Sequence, residues 1–345
     1  MSLPSNHTAL VVVERGKVAI KQQALPECAD DEVLVKVKAV AINPTDWKHI
    51  DWVLQPGQSV GCDFSGTICA MGKNAKNKGF SIGDPVAGIT PGPAIKPNNG
   101  AFQEYVAAHT DNIWKKPDIL PYESAAHMGG VSLSAAAFAI HCKLGIPLKG
   151  VTDRKPIIIW SGASGVGMAA IKIASLAGMR VITTAAEQNK ALLQKLGAEA
   201  VIDYKDPEAV QKVKQWANNA GCGAIKLAFD CISEHDSTQK CCDIVGQGGK
   251  VIRLDTMTPS PNLDAKGAEV EQILLYTALD PKNVDHKALA EWNRMMPSLI
   301  ESKKLTKDDV PLKLFHGFEE LPEAIDYMRK GKAHGEKVVV VLQKN

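Results

Sequence analysis

The chain has 345 residues, 45% hydrophobic and 23% charged, with 40 Lys and Arg against 38 Asp and Glu. That length accommodates two domains, and the near-balance of charge gives no basis for nucleic acid or an anionic membrane surface as the main partner. No apolar run approaches the ~20 residues of a membrane-spanning helix. The opening MSLPSNHTALVVVERG lacks the basic start and apolar core of a signal peptide, so a cytoplasmic protein is expected.

Residues 8–20 and 32–42 are rich in β-branched side chains. In the second, Val33, Val35 and Val37 alternate with Leu34, Lys36 and Lys38, the pattern of a half-exposed strand. Residues 26–31 form a turn-rich connection, and short strands follow over 65–70, 84–89 and 102–106. Residues 1–110 therefore predict a mostly β domain. From about Ser124 the chain becomes alanine-rich and helical, interrupted at Gly129–Gly130. Strands at 156–160, 180–184, 200–203, 225–230 and 250–254 then alternate with helices through 188–196, 208–218 and 236–245. This alternation predicts a parallel, doubly wound sheet. Residues 260–305 are less regular. A strand over 312–318, a helix over 321–330 and a strand over 337–342 follow, the last expected to return to the first domain.

The eight cysteines, Cys28, Cys62, Cys69, Cys142, Cys222, Cys231, Cys241 and Cys242, form no C-x-x-C pair and no zinc-ribbon spacing. They read as reduced thiols packed as small hydrophobes.

The stretch that organises the chain is KPIIIWSGASGVGMAAIKIASLAG, residues 155–178. An apolar run meets a glycine-rich turn, and Val166, Ala169, Ala170, Ile173 and Leu176 then recur on one helical face. Strand, tight turn and helix are the context of a dinucleotide fingerprint, in which the backbone approaches a pyrophosphate and the helix N-terminus offers it free N–H groups. The motif departs from G-x-G-x-x-G in placing Ser164 at the second glycine. Ala163, Ser164, Gly165 and Val166 are the candidate contacts. The next strand ends Thr184-Ala185-Ala186 where an NAD site carries an acid for the ribose hydroxyls. With no carboxylate to repel a 2′-phosphate, NADPH is favoured over NADH. Ala186, Asn189 and Lys190 are placed to line that end, although Glu187 lies nearby.

Several motifs in order carry a resemblance across nearly the whole length: AINPTDWK (41–48), GCDFSGTI (61–68), SIGDPVAGI (81–89), GAFQEY (100–105), SGASGVG (161–167) and LGAEAVIDY (196–204). The chain resembles the medium-chain dehydrogenase/reductase superfamily. GGVSLSAA (129–136) and KGKAHGEKVVVVL (330–342) make it most similar to the zinc-independent fungal branch that includes trans-acting enoyl reductases of polyketide pathways, of lovastatin type. The resemblance implies an α/β architecture. A GroES-like β-rich catalytic domain over 1–124 and 306–345 would accompany a Rossmann cofactor domain over 125–305, with the active site at their junction.

No metal is expected. Zinc members carry Cys at the position matching Lys48 and a G-H-E motif that here reads Gly61-Cys62-Asp63, and 89–101 contains no cysteine of the structural-zinc lobe. An ammonium has no lone pair for a metal. By the resemblance Lys48 sits beside the nicotinamide ribose, with Thr45 in the same loop, and either fixes the cofactor or feeds a proton relay. Asn43 and Asp46 shape that loop. Ser132 and Ser134 fall where relatives carry hydroxyls near the nicotinamide or the substrate carbonyl, with Leu133 in place of a threonine. Tyr204 matches a tyrosine at the 2′-phosphate, and Val251, Leu254 and Val338 line the cofactor by alignment. Asp63 is read as holding loops together, and His49, His109, His127 and His141 as structural or surface residues.

The implied function is NADPH-dependent reduction of an activated C=C bond in secondary metabolism. The substrate would be a small molecule or an acyl chain on a carrier, with a polyketide synthase as partner. Two alternatives stay open: a quinone or small-enone oxidoreductase acting on free compounds, and a non-catalytic NADPH-binding protein. Lovastatin-type relatives are monomeric, and the Pro and charge content of 255–285 argues against a clean pairing strand there, so a monomer is expected.

Overall fold

The computed structural model describes residues 3–92, 96, 98–147, 150–254 and 263–343. The first elements are strands β1 (Asn6–Glu14), β2 (Lys17–Ala24) and β3 (Glu32–Ala41), helix α1 (Pro44–Trp52), and strands β4 (Asp63–Met71), β5 (Pro85–Ile89), β6 (Tyr105–His109) and β7 (Ile113–Lys115). Helices α2 (Tyr122–Met128) and α3 (Val131–Ala137) lead through a π-helical turn (Phe138–Lys143) into an alternating region. There β8 (Pro156–Trp160), α4 (Gly165–Leu176), β9 (Arg180–Thr184), α5 (Lys190–Leu196) and β10 (Ala198–Ile202) are followed by α6 (Ala209–Asn219), β11 (Leu227–Asp230), α7 (Ser237–Val245), β12 (Lys250–Leu254) and β13 (Glu269–Ile273). Then come α8 (Leu275–Ala278), α9 (His286–Glu301), β14 (Leu312–His316), α10 (Leu321–Arg329) and β15 (Lys337–Val341).

The chain divides into two compact units, one of residues 1–132, 279–282 and 289–345, the other of 133–278 and 283–288. The first unit is larger than the expected 1–124 plus 306–345, because α2 and most of α9 belong to it. Tyr122 explains α2: its carbonyl accepts a hydrogen bond from Ser65 Oγ at 2.6 Å and its hydroxyl lies 3.0 Å from Thr67 Oγ1. On the same helix Ala126 packs with Ala39, Ala41 and Val339. Asn293 Nδ2 fastens α9 by donating to the Asp111 carbonyl at 2.8 Å.

In the first unit a mixed sheet runs β14-β15-β3-β4-β5-β7, with β6 also paired to β3. The C-terminal strand does return here: β15 pairs antiparallel with β3 and parallel with β14. The inward faces bury Leu10, Val35, Val37, Phe64, Phe102 and Val340 in one core. The β-branched stretch 8–20 forms most of the β1–β2 hairpin, because Gly16 turns the chain at a φ of 77° that a side chain resists. Helix α1 is too short and too polar for its period to have marked it in the sequence. It starts at Pro44, a residue suited to a first helical position.

In the second unit all pairings are parallel, in the order β10-β9-β8-β11-β12-β13. The order reverses between β8 and β11, the switch point at which open α/β sheets bind ligands. Met168, Ala170, Ile171, Ile173 and Ala174 form the buried face of α4, whereas Leu176, expected on that face, is exposed. Of the 255–285 segment, residues 255–262 lie outside the described residues. The remainder supplies strand β13, which pairs with β12 from Glu269 to Ile273, past Pro259 and Pro261 in the sequence and before Pro281. One stretch, Tyr122–Lys143, matches a membrane span in length and hydropathy, yet its most apolar window is 89% buried and it breaks at Gly129–Gly130.

Candidate functional site

In the second unit the turn after β8 is built by its own hydrogen bonds. Ser161 takes a left-handed φ of 64°, costly for a residue with a Cβ. It is held there because its N–H donates to Thr184 Oγ1 at 3.0 Å, while its carbonyl accepts from Ser164 N at 3.1 Å and Ser164 Oγ at 2.8 Å. Gly162 and Gly167 are required by close approach: a Cβ at 162 would strike Thr183, and one at 167 the Ser161 carbonyl. Ser164, at the second glycine position of the fingerprint, has an ordinary φ of −72°, so the backbone needs no glycine there. As N-cap of α4 its Oγ accepts from Gly167 N at 3.0 Å. The Gly165 and Val166 N–H groups have no intrahelical acceptor and, with the helix dipole, suit a pyrophosphate.

The residues expected around this turn belong to the same sheet edge. Ala163, Ser164, Gly165 and Val166 are half-buried, as are Ala186, Asn189, Lys190 and Leu254, and Tyr204 is exposed. Lys190 Nζ pairs with Glu187 Oε1 at 3.0 Å, so the acid near the strand end is engaged by the cation beside it. Val251 is fully buried in the core against α6 and α7. Sequence reasoning missed Asp230 at the end of β11, directly across the switch point from Trp160. Its carboxylate accepts from Ser237 Oγ and Thr238 Oγ1, both at 2.7 Å, and from Ser233 N at 2.9 Å. A buried charge with that many donors fixes the loop after β11.

The first unit holds a second polar cluster, wholly buried. Asn43 immediately precedes α1, and its N–H donates to Asp46 Oδ2 at 2.7 Å. The same helix carries Thr45 and Lys48, and Lys48 is only 6% exposed. The centre of the cluster is Lys337, at the start of β15, which the sequence reading passed over. Its Nζ donates to Asn43 Oδ1 and, at 3.2 Å, to Ser132 Oγ, and lies 3.9 Å from Asp63 Oδ2. Asp63 Oδ1 accepts from the Val131 N–H at 2.8 Å. Ser132 thus joins the helix that carries Lys48 through the shared Asn43 carbonyl. Ser134 is buried two residues on, in the other unit. Val338 is fully buried in the main core beside Lys337.

Desolvation governs the charges here. Burial pushes the Asp63 carboxyl up to about 6, while the Lys337 ammonium, Asn43 and the Val131 N–H pull it down. Burial and then the Asp63 charge hold Asp46 well above the carboxylate range. Burial lowers Lys337, opposed by both carboxylates. His127 on α2 is pushed to about 3 by burial and the Lys337 charge, and His49 on α1 to about 4 by burial.

These residues do not fit a catalytic zinc. Lys48 offers no lone pair as an ammonium, and Asp63 is committed to the Val131 amide and the Lys337 cation, leaving Cys62 without a three-donor set.

Residues 29–118 match the alcohol dehydrogenase GroES-like domain, and residues 165–277 match a domain described as zinc-binding dehydrogenase. The chain is 34% identical over 344 residues to trans-enoyl reductase ACTTS2 of Alternaria alternata, covering 96% of this chain and 97% of that protein. It is 36% identical over 269 residues to trans-enoyl reductase thnE of Trichoderma harzianum, covering 75% and 72%. In three dimensions it overlays the quinone oxidoreductase of Coxiella burnetii with a TM-score of 0.76 at 23% identity, covering 98% of this chain and all of that one.

Proposed function

Because the chain belongs to the medium-chain dehydrogenase/reductase superfamily of oxidoreductases, in the branch of the fungal trans-enoyl reductases, we propose that it is a zinc-independent, NADPH-dependent reductase of an activated C=C bond. It would act in trans on an enoyl chain carried by a polyketide synthase, as a monomer in the cytoplasm. The observation that carries this reading is identity of 34% to a trans-enoyl reductase along almost the whole of both chains, joined to a dinucleotide turn at the sheet's switch point.

Such a reduction needs hydride at the β-carbon, stabilisation of the developing oxyanion and a proton at the α-carbon. NADPH, when bound, supplies the hydride. The Gly165 and Val166 amides, beside Ala163 and Ser164, hold its pyrophosphate. Asn189, Lys190 and Tyr204 take the 2′-phosphate, with Ala186 leaving the room an acid would occupy. Leu254 backs the coenzyme with apolar surface, whereas Val251 and Val338, fully buried in their cores, support β12 and β15 from within. Thr45 and Lys48 orient it, and Lys48 is a cation able to feed a proton relay. Ser132 and Ser134 supply hydroxyl donors for the carbonyl.

The test is coenzyme oxidation, followed by nicotinamide absorbance, against α,β-unsaturated pantetheine thioesters, free enones and quinones, with NADH as control. Turnover of thioesters with NADPH, lost in Lys48→Ala, is expected. Fast turnover of quinones or simple enones alone would make it a reductase of free compounds. Tight NADPH binding with no turnover of any acceptor would make it a non-catalytic binding protein.

A further inference from the structure

We propose that Lys337 is a positioning residue for the reductase site, locking the start of the helix that carries Lys48 to Ser132 through the single carbonyl of Asn43. The proposal rests on the reading above, which gives Lys48 and Ser132 their roles. Three observations carry it. An ammonium has three N–H donors, and Lys337 spends two on Asn43 Oδ1 and Ser132 Oγ and directs the third side toward Asp63 Oδ2. Its side chain is 4% exposed and that of Asp63 is fully buried. The backbone converges there as well: the Ile42 N–H, next to Asn43, donates to the Val338 carbonyl, next to Lys337, at 2.9 Å.

The chemistry explains why a lysine is buried at the start of a valine strand, where one usually reaches solvent. Asn43 is the last residue before α1, so its side chain sets the direction of the helix and the placement of Lys48 five residues on. An uncharged side chain at 337 would remove the donor shared by the Asn43 carbonyl and the Ser132 hydroxyl and leave only their own long bond, Ser132 Oγ to Asn43 Oδ1 at 3.5 Å. It would also leave Asp46 and Asp63 as two buried carboxylates with no cation between them. The groups facing Lys337 are Asp46 from α1, Asp63 from β4 and His127 from α2. His127 stays neutral there, so the balance lies between the two acids and Lys337.

Charge compensation and positioning separate in a pair of variants. Lys337→Met strands Asp63 and is expected to destabilise the fold. Lys337→Met/Asp63→Asn removes both charges and is expected to recover most of the stability. If Lys337 positions the site, the double variant still turns over the enoyl thioester at least tenfold more slowly than Asp63→Asn alone, in kcat rather than in KM for the acyl chain. In the wild type the acid limb of the kcat profile should lie near pH 6, where Asp63 takes up a proton and the ammonium loses its counter-charge. That limb should vanish in Asp63→Asn. Hydrogen–deuterium exchange over residues 43–48 gives a readout independent of turnover: faster exchange is expected in the double variant than in Asp63→Asn. Restored turnover together with unchanged exchange in the double variant would overturn the proposal. A wild type that reduces nothing in the acceptor panel would defeat the assigned reaction, and the exchange comparison alone would then decide whether Lys337 holds this helix.

Discussion

Gly130 stands against the Asp63 carboxylate so closely that a methyl group at 130 would occupy the space of the carboxylate itself. The next residue, Val131, donates its N–H to that carboxylate at 2.8 Å. The Gly129–Gly130 break between α2 and α3 is therefore a fitted contact that lets the chain wrap a buried charge. Gly130→Ala should cost about 1–3 kcal/mol, the usual range for overpacking a tight interior. A lower denaturant midpoint at unchanged slope would report it. Stability equal to wild type would mean that Asp63 can move aside without loss.

This contact also marks what the sequence could disclose. Strands β8, β9 and β12 are continuous buried runs bounded by turns, and their limits are legible to the residue. So is the glycine turn, because its steric demands are local. Lys337 was not legible. Its environment comes from positions 43, 63 and 132, which only the folded sheet brings together, and a lysine opening a valine run reads as a solvated end. Asp63 was legible only in part, as a residue holding loops, since its amide partner sits at 131. Helix α1 was missed because nine residues rich in Asp, Lys, His and Trp show no clear apolar stripe.

The buried histidines make an acid-side prediction. His127 has a pKa of about 3 and His49 of about 4 in the folded chain, below the ordinary 6.5. Between those values the unfolded chain binds more protons, so the stabilising contribution is complete above pH 6.5 and declines as pH falls toward 4. Asp63 and Asp46 act in the opposite sense, since their raised values let the folded chain hold protons that the unfolded chain has released. The His127 contribution is therefore best read as a difference. The stability gap between wild type and His127→Gln should widen by about 1.4 kcal/mol per pH unit from pH 5 to 6, for one proton. Urea titrations at a series of pH values measure it, and a gap independent of pH would show that His127 protonates freely in the fold.

Coenzyme preference should turn on Lys190 and its neighbour. Lys190 is partly exposed and paired with Glu187 at 3.0 Å, an interaction worth about 0–1 kcal/mol at a surface. A 2′-phosphate offers it a stronger partner. Lys190→Ala and Tyr204→Phe should each raise KM for NADPH several-fold, up to about tenfold for the loss of roughly 1.4 kcal/mol, and leave KM for NADH nearly unchanged. Glu187→Gln should lower KM for NADPH by freeing the lysine. Equal effects on both coenzymes would place these residues away from the phosphate.

Ser164 and Ser161 predict opposite outcomes from one turn. The Ser164 hydroxyl accepts from Gly167 N and donates to the Ser161 carbonyl, so Ser164→Ala removes the helix cap and one of the bonds that hold Ser161. A loss of about 1 kcal/mol is expected from the cap. Weaker NADPH binding should accompany it, because the amides of Gly165 and Val166 are aimed by the same first turn. At Ser161 a φ of 64° favours glycine, so Ser161→Gly should relieve strain of about 1 kcal/mol, offset in part by the greater freedom of the unfolded chain. Thermal melts with and without NADPH separate the two effects. Ser164→Ala should lower the melting temperature and shrink the shift that NADPH produces, whereas Ser161→Gly should preserve that shift. A smaller shift in Ser161→Gly would mean that the serine side chain itself contributes to holding the coenzyme.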